Sequence, residues 1–230
     1  MKTIVFDIET GPLTAAELAD RIPPFDPSDV KVGNIKDPDK IAAKISEAKA
    51  NYLADFLDRA ALDPMTGRVV AIGVKVFDSR GEFGPDFIKG GSTIIIGHDN
   101  EAETLMEFWS LLIGDCGRLA PIIGFNICQF DLPFLFRRSW KHRVMVPLGI
   151  RRGRYWGDQV VDLRDIWQLG DRQARGSLDT IARHLGVGAK NGDGKDFASL
   201  WASDRAKAEA YLRNDLDMTA RVAEALGVCI

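Results

Sequence analysis

Two acidic residues near the start of the chain, Asp7 and Glu9, sit in the run MKTIVFDIET. Ile4, Val5, Phe6 and Ile8 are strand formers, and successive strand side chains alternate between faces. Phe6 and Ile8 therefore share one face, and Asp7 and Glu9 share the other. Two carboxylates held side by side repel by about 4 kcal/mol at ~4 Å and an effective dielectric of ~20. A cation between them removes that cost. A solvated strand face would also tolerate the pair, but the apolar neighbours predict a central strand with both faces covered.

Further acidic groups follow in suggestive places. Asn126-Ile127-Cys128-Gln129-Phe130-Asp131 comes directly after an apolar run. Asp131 is thus expected at a strand-to-helix turn, where open α/β sheets place their sites. Capping the helix is the other role open to it. Tyr211 and Asp215 are four apart in the last helical stretch and share a helix face. A surface Tyr/Asp pair has the same spacing. Asp217 points elsewhere.

The elements that must position these groups can be read in order. Gly11-Pro12 interrupts the first strand. Pro23, Pro24, Pro27 and Pro38 mark an irregular stretch. Ile41, Ile45, Ala48, Tyr52, Phe56 and Ala60 then recur at helical spacing, which predicts one amphipathic helix starting near Asp39. Residues 13–63 are therefore a helical insertion between strands 1 and 2, packed on the core or a partner subunit, or forming a lid beside the carboxylates. Arg68–Phe77 is the second strand, joined through Ser79-Arg80-Gly81 to a short third at Thr93–Ile96. Glu101–Ile113 is helical and Ala120–Phe125 is a buried fourth strand. Phe130–His142 is a helix that tolerates Pro133 in its first turn. Val160–Leu163 is the fifth strand, Ser177–Leu185 a short helix with a serine cap, and Ser203–Leu226 a long closing helix. This order predicts an α/β fold, a mixed sheet flanked by helices, in one domain over residues 1–230.

The totals exclude several classes. A chain of 230 residues suits one large domain or one domain with an insertion. A net charge of -3 excludes a basic nucleic-acid coat, so any nucleic-acid contact is local. The three cysteines, Cys116, Cys128 and Cys229, are far apart and fit reduced thiols, not a disulfide frame or zinc site. The first strand is acidic and leads straight into the fold, unlike a signal peptide. No apolar run approaches the ~20 residues that cross a bilayer. No membrane association is expected, and the expected setting is cytoplasmic.

Asp-x-Glu on a first strand, Asn-x-x-x-Phe-Asp after a later strand and Tyr-x-x-x-Asp on the last helix together resemble the three exonuclease motifs of the DEDD superfamily. The match is to its tyrosine-bearing branch, as in the proofreading domains of family B DNA polymerases. It spans residues 4–219, nearly all of these 230 residues, so no polymerase domain is expected among them. A histidine at position 211 would mark the other branch. The resemblance implies an RNase H-like fold with a five-stranded mixed sheet, its second strand antiparallel. It also implies a 3′→5′ exonuclease that hydrolyses single-stranded DNA ends to nucleoside 5′-monophosphates. Asp7, Glu9, Asp131 and Asp215 are the implied ligands of two divalent metal ions, with Asp7 bridging them and Asp215 holding the ion that carries the water. Tyr211 is implied to orient that water. The 13–63 insertion departs from the family pattern.

The chemistry suits the residue types. Two metals ~4 Å apart activate water and stabilise a leaving oxygen on a phosphodiester. Mg²⁺ and Mn²⁺ prefer oxygen ligands. His98, His142 and His184 are not clustered with cysteine, so zinc is not expected. From residue 137 to 154 the chain carries Arg137, Arg138, Lys141, Arg143, Arg151, Arg152 and Arg154 with no acid. Trp140, Tyr155 and Trp156 are interleaved or adjacent. Such a run can pair with phosphates and stack on bases, or form a solvated cationic face. Arg137, Arg138 and Lys141 are the expected phosphate contacts. Thr10, Leu13, Phe125, Asn126 and Phe130 are placed by the motifs near the terminal nucleotide. An exoribonuclease on the same fold is the alternative enzyme, since no motif here reads a 2′-hydroxyl. A non-catalytic module for DNA ends, or for a replication or repair partner, could dock through the 41–60 helix. Such a module would not need all the carboxylates and the tyrosine in register.

Overall fold

The computed structural model describes residues 2–78, 91–113, 120–147, 150–152, 155–157, 159–171, 173–190, 192 and 194–228. The Ser79-Arg80-Gly81 connection, Cys116, Cys229 and Arg154 lie outside them. Arg151, Arg152 and Tyr155 are described as strand backbone. The chain forms two compact units, Met1–Thr10 with Val69–Ile230, and Gly11–Arg68.

The larger unit is built on a sheet of five strands, β1 (Lys2–Pro12), β2 (Gly67–Asp78), β3 (Ser92–Ile96), β4 (Ile122–Gly124) and β7 (Val160–Asp162), in the spatial order β3-β2-β1-β4-β7. β1 runs parallel to β4, and β4 parallel to β7, while β2 and β3 are antiparallel. The carboxyl ends of β1, β4 and β7 therefore lie at one edge, where an open α/β sheet puts its site. A two-stranded ribbon, β5 (Arg151–Arg152) with β6 (Tyr155–Trp156), stands apart from the sheet.

Alternation along β1 divides the core. Ile4, Phe6 and Ile8 pack with α3 (Glu101–Leu112) and α4 (Asp131–His142), where the Phe6 and Phe108 rings are 5.3 Å apart. Val5 packs on the opposite face, with α6 (Leu178–Leu185) and α8 (Arg205–Ala225). Each such fully buried large side chain contributes about 1.5–3 kcal/mol. Asp7 and Glu9 have the parity of Val5 and thus face α8. Helix α5 (Leu163–Gln168) follows β7 directly, and α7 (Phe197–Ser203) precedes α8. Among the described residues, no helix is long and apolar enough to cross a membrane.

Several boundaries differ from the sequence reading. β1 continues through Gly11 to Pro12, because proline is tolerated where the ladder needs no donor. The closing helix starts at Arg205, two residues later than expected, because the Asp204 side chain accepts the Lys207 N–H at 3.2 Å and caps α8. A separate short helix, α7, that the sequence reading did not include precedes it.

The smaller unit contains α1 (Ala15–Leu18), closed by a Thr14/Glu17 capping box, and α2 (Pro38–Ala60). α2 starts before Asp39. Asp37 accepts the Asp39 N–H at 3.0 Å, and Pro38 takes the first turn, where its missing N–H costs nothing. The apolar stripe is half-buried. The Tyr52 hydroxyl donates to the Pro23 carbonyl at 2.8 Å, and Phe25 meets the Tyr52 ring edge-on.

Candidate metal centre

Three elements deliver the carboxylates. β1 supplies Asp7 and Glu9, α4 supplies Asp131 at its first residue, and α8 supplies Asp215. One ligand oxygen each from Asp7, Glu9 and Asp215 lie within 4.8 Å of one another. Asp131 lines the same cavity, of about 950 Å³, along with Asp7, Glu9 and Tyr211. Its Oδ1 accepts the Ile8 N–H at 3.2 Å, so the carboxylate braces α4 against β1 and does not cap the helix.

Burial governs the electrostatics. Asp7 is pushed up to about 7, first by desolvation and then by the Asp215 carboxylate, with Lys190 and the Ile8 N–H pulling it back. Glu9 is raised by burial and then by Asp7, and Asp131 likewise by burial and then by Asp7. Asp215 is fully buried, and among the described residues its Oδ1 has no hydrogen-bond partner. Its Oδ2 accepts from Lys190 Nζ.

Lys190 escaped the sequence reading. Its Nζ also donates to the Tyr211 hydroxyl at 3.1 Å and lies 5.4 Å from the centre of that ring. Burial would lower the ammonium pKa, but the Asp215 charge and these hydrogen bonds outweigh it, so the net shift is upward. Burial, and then the charges of Asp215 and Glu9, raise the Tyr211 phenol. Both groups therefore keep their protons at neutral pH.

A second carboxylate holds the turn that leads into Asp131. Asp162, at the end of β7, accepts the N–H groups of Asn126 at 2.8 Å, Cys128 at 2.9 Å and Arg164 at 2.9 Å. Asn126 is left-handed at φ 63°, a conformation asparagine tolerates better than most residues. Its Oδ1 accepts from Arg164 Nη1 at 3.1 Å. These bonds satisfy both Asp162 oxygens, so its place beside Cys128 and Asp165 has a structural account.

The remaining expected contacts divide. Phe125, Asn126 and Phe130 line the cavity, and so do Arg164, Gln173, Arg175 and Ser177, which sequence reasoning did not select as contacts. Thr10 is half-buried near the end of β1 and is not among the lining residues. Leu13 belongs to the smaller unit, buried there with its N–H donating to the Thr66 carbonyl at 2.9 Å. Arg137 and Lys141 are exposed on α4 and do not line the cavity. Arg138 is not a surface phosphate contact. It is 1% exposed and forms a two-pronged pair with Glu101, its Nε donating to Oε1 at 2.8 Å. Asp217 pairs with Lys75 of β2, outside the carboxylate cluster.

Comparison with known proteins adds the relationship. The family described as "Predicted 3′-5′ exonuclease related to the exonuclease domain of PolB" matches residues 62–219, more than half of the chain. That span includes Asp131, Tyr211 and Asp215 and begins after Asp7 and Glu9. An uncharacterised protein of Methanocaldococcus jannaschii is 31% identical over 175 residues, 71% of this chain and 88% of that protein. The family B DNA polymerase of the hyperthermophilic archaeon Pyrobaculum calidifontis superposes on 98% of this chain with a TM-score of 0.59 at 18% identity. This chain spans 24% of the polymerase, and the likeness is one of fold, an RNase H-like α/β domain. By the family match, the chain belongs to the predicted 3′-5′ exonucleases related to the exonuclease domain of PolB.

Proposed function

We propose that the protein is a divalent-metal-dependent 3′→5′ exonuclease that shortens single-stranded DNA and releases nucleoside 5′-monophosphates. The observation that carries this reading is the Asp7, Glu9 and Asp215 cluster, with a buried oxygen on Asp215 that has no hydrogen-bond partner among the described residues. Leaving such an oxygen unsatisfied costs on the order of 1–3 kcal/mol, more when charged. A hard cation satisfies it, and an all-carboxylate donor set suits Mg²⁺ or Mn²⁺. Asp7, Glu9 and Asp215, with Asp131 from the same cavity, would hold two ions. When bound, the ions supply a more acidic water and neutralise charge building on the phosphoryl group.

The side chains perform the other tasks. Tyr211 keeps its proton, so its hydroxyl can donate a hydrogen bond and fix the orientation of an attacking water. Lys190 keeps its charge and holds both Tyr211 and Asp215 in place from one nitrogen. The Phe125 and Phe130 rings on the cavity wall offer faces for a terminal base.

The direct test is a 5′-labelled oligodeoxynucleotide incubated with Mg²⁺ or Mn²⁺. The wild-type chain yields a ladder of shorter products, and Asp7→Ala yields none. Failure of folded wild-type protein to shorten the strand with either ion rejects the reading. A matched RNA strand in parallel reports sugar selectivity.

A further inference from the structure

The cavity has a second chemical side. Arg164 and Arg175 line it along with the carboxylates, and neither belongs to the basic run at 137–154. Among the described residues, neither arginine forms a salt bridge. Arg164 stands in the first turn of α5, fixed through its backbone to Asp162, and it spends one guanidinium N–H on the neutral Asn126 amide. An arginine has five such donors, so others remain available. Arg175 is exposed on a segment fastened at several points. The Ala174 N–H donates to the Asp171 carbonyl at 3.0 Å, and the Ala174 carbonyl accepts from Gln168 Nε2 at 3.3 Å. Gly176 is packed so closely that a Cβ there would lie 2.8 Å from the Ile181 side chain. Ser177 then caps α6.

A nucleic-acid strand entering a cavity of carboxylates is repelled except where ions neutralise it. The carboxylates would hold ions only at the phosphate being cleaved, so the neighbouring phosphates need other cations. A guanidinium presents a planar fork that matches phosphate oxygens two at a time. The geometry points to Arg164 and Arg175 as the phosphate-binding side of this cavity, holding phosphates of the strand other than the one cleaved. The inference rests on the exonuclease reading above and names how that site grips its substrate.

The test is equilibrium binding of a 5′-fluorescein oligothymidylate to the full chain across a salt series, with Ca²⁺ in place of Mg²⁺. Each phosphate neutralised on a single strand contributes about 0.7 to the slope of log affinity against log salt. Arg175→Gln is expected to weaken binding about three- to tenfold at low salt and to reduce the slope by about 0.7. Arg164→Gln is expected to reduce the slope likewise, and Arg164→Lys to weaken binding with the slope retained. Neutral methylphosphonate linkages at the contacted phosphates are expected to erase the difference between wild type and Arg175→Gln. A role confined to loop structure would not move the slope. Wild-type affinity and slope in both glutamine variants overturn the inference. If the wild-type chain shortens DNA while those variants keep the slope, the grip assignment alone is wrong. If the wild-type chain neither binds nor shortens the strand, both readings fall.

Discussion

Lys190 and Asp215 show how single residues set the behaviour of the centre. Asp7, Glu9 and Asp215 crowd together, with the Lys190 ammonium paired to Asp215, and burial weakens solvent screening. Protons relieve part of that repulsion in the absence of metal. Asp7 has its folded pKa raised from 3.8 to about 7, and Glu9 and Asp131 shift in the same direction. Between those two values the folded chain holds a proton that the unfolded chain releases. Stability contributed by Asp7 is therefore intact below about 4 and is lost as pH rises through about 7. Thermal melts in EDTA are expected to show a falling Tm from pH 5 to pH 7.5. Saturating Mn²⁺ is expected to flatten or reverse that trend, because ions bind the deprotonated carboxylates. Identical pH profiles with and without Mn²⁺ would show that the cluster does not bind the ion.

At the scale of elements, the centre depends on how closely β1, β4 and β7 approach. Gly124 ends β4 beside Asp162 of β7. A Cβ at Gly124 would lie 2.9 Å from the Phe6 carbonyl and 2.3 Å from the Ile127 side chain. Ile127 could shift, but the backbone oxygen of β1 cannot without moving the residue next to Asp7. Gly124→Ala is expected to cost about 1–3 kcal/mol by overpacking. It is also expected to weaken Mn²⁺ binding, since the strain falls between the strand bearing Asp7 and the turn leading to Asp131. Urea denaturation and calorimetric Mn²⁺ titration measure the two effects. A wild-type Mn²⁺ affinity in the destabilised variant would show that the centre tolerates strand movement. The Glu101–Arg138 pair plays a different part: it ties α3 to α4, and Glu101 Oε1 also accepts the Val69 N–H at 2.8 Å. Its contribution is to hold elements in register and leaves no charge for substrate.

At the scale of the molecule, all the carboxylates of the centre come from the unit formed by Met1–Thr10 and Val69–Ile230. The 13–63 stretch lies in the other unit. Its two ends are adjacent, since the Leu13 N–H donates to the Thr66 carbonyl at 2.9 Å. Segments whose ends meet are the ones a fold can lose or gain most readily. Replacing residues 14–65 with a short glycine-containing turn is expected to leave a cooperatively melting protein with Mn²⁺ affinity within about threefold of wild type. Loss of Mn²⁺ binding from such a folded variant would assign the insertion a part in the centre. The overall charge of -3 confines any nucleic-acid contact to a local cationic region, such as the one proposed around Arg164 and Arg175.

Alternation along residues 4–9 was enough to put Asp7 and Glu9 on one face of a central strand, because a strand's two faces are a local property of the backbone. Helical spacing likewise placed Tyr211 and Asp215 on one face of α8, and an apolar run followed by Asn126 and Asp131 marked a strand-to-helix turn. The order of the five sheet strands was legible for the same reason, down to the mixed sheet, while α5, α7 and the β5–β6 ribbon were not. Pairings across the fold were not. Lys190 meets Asp215 at a separation of 25 residues, and Arg138 meets Glu101 at 37, with no periodicity linking either pair. A charged residue read alone is assigned to solvent or substrate, and only packing shows which carboxylate takes it. The tertiary structure therefore decided that Arg138 is internal, that Lys190 stands among the carboxylates, and that Arg164 and Arg175 line the cavity. Contacts between distant segments depend on how whole elements dock, and a linear pattern does not carry that information.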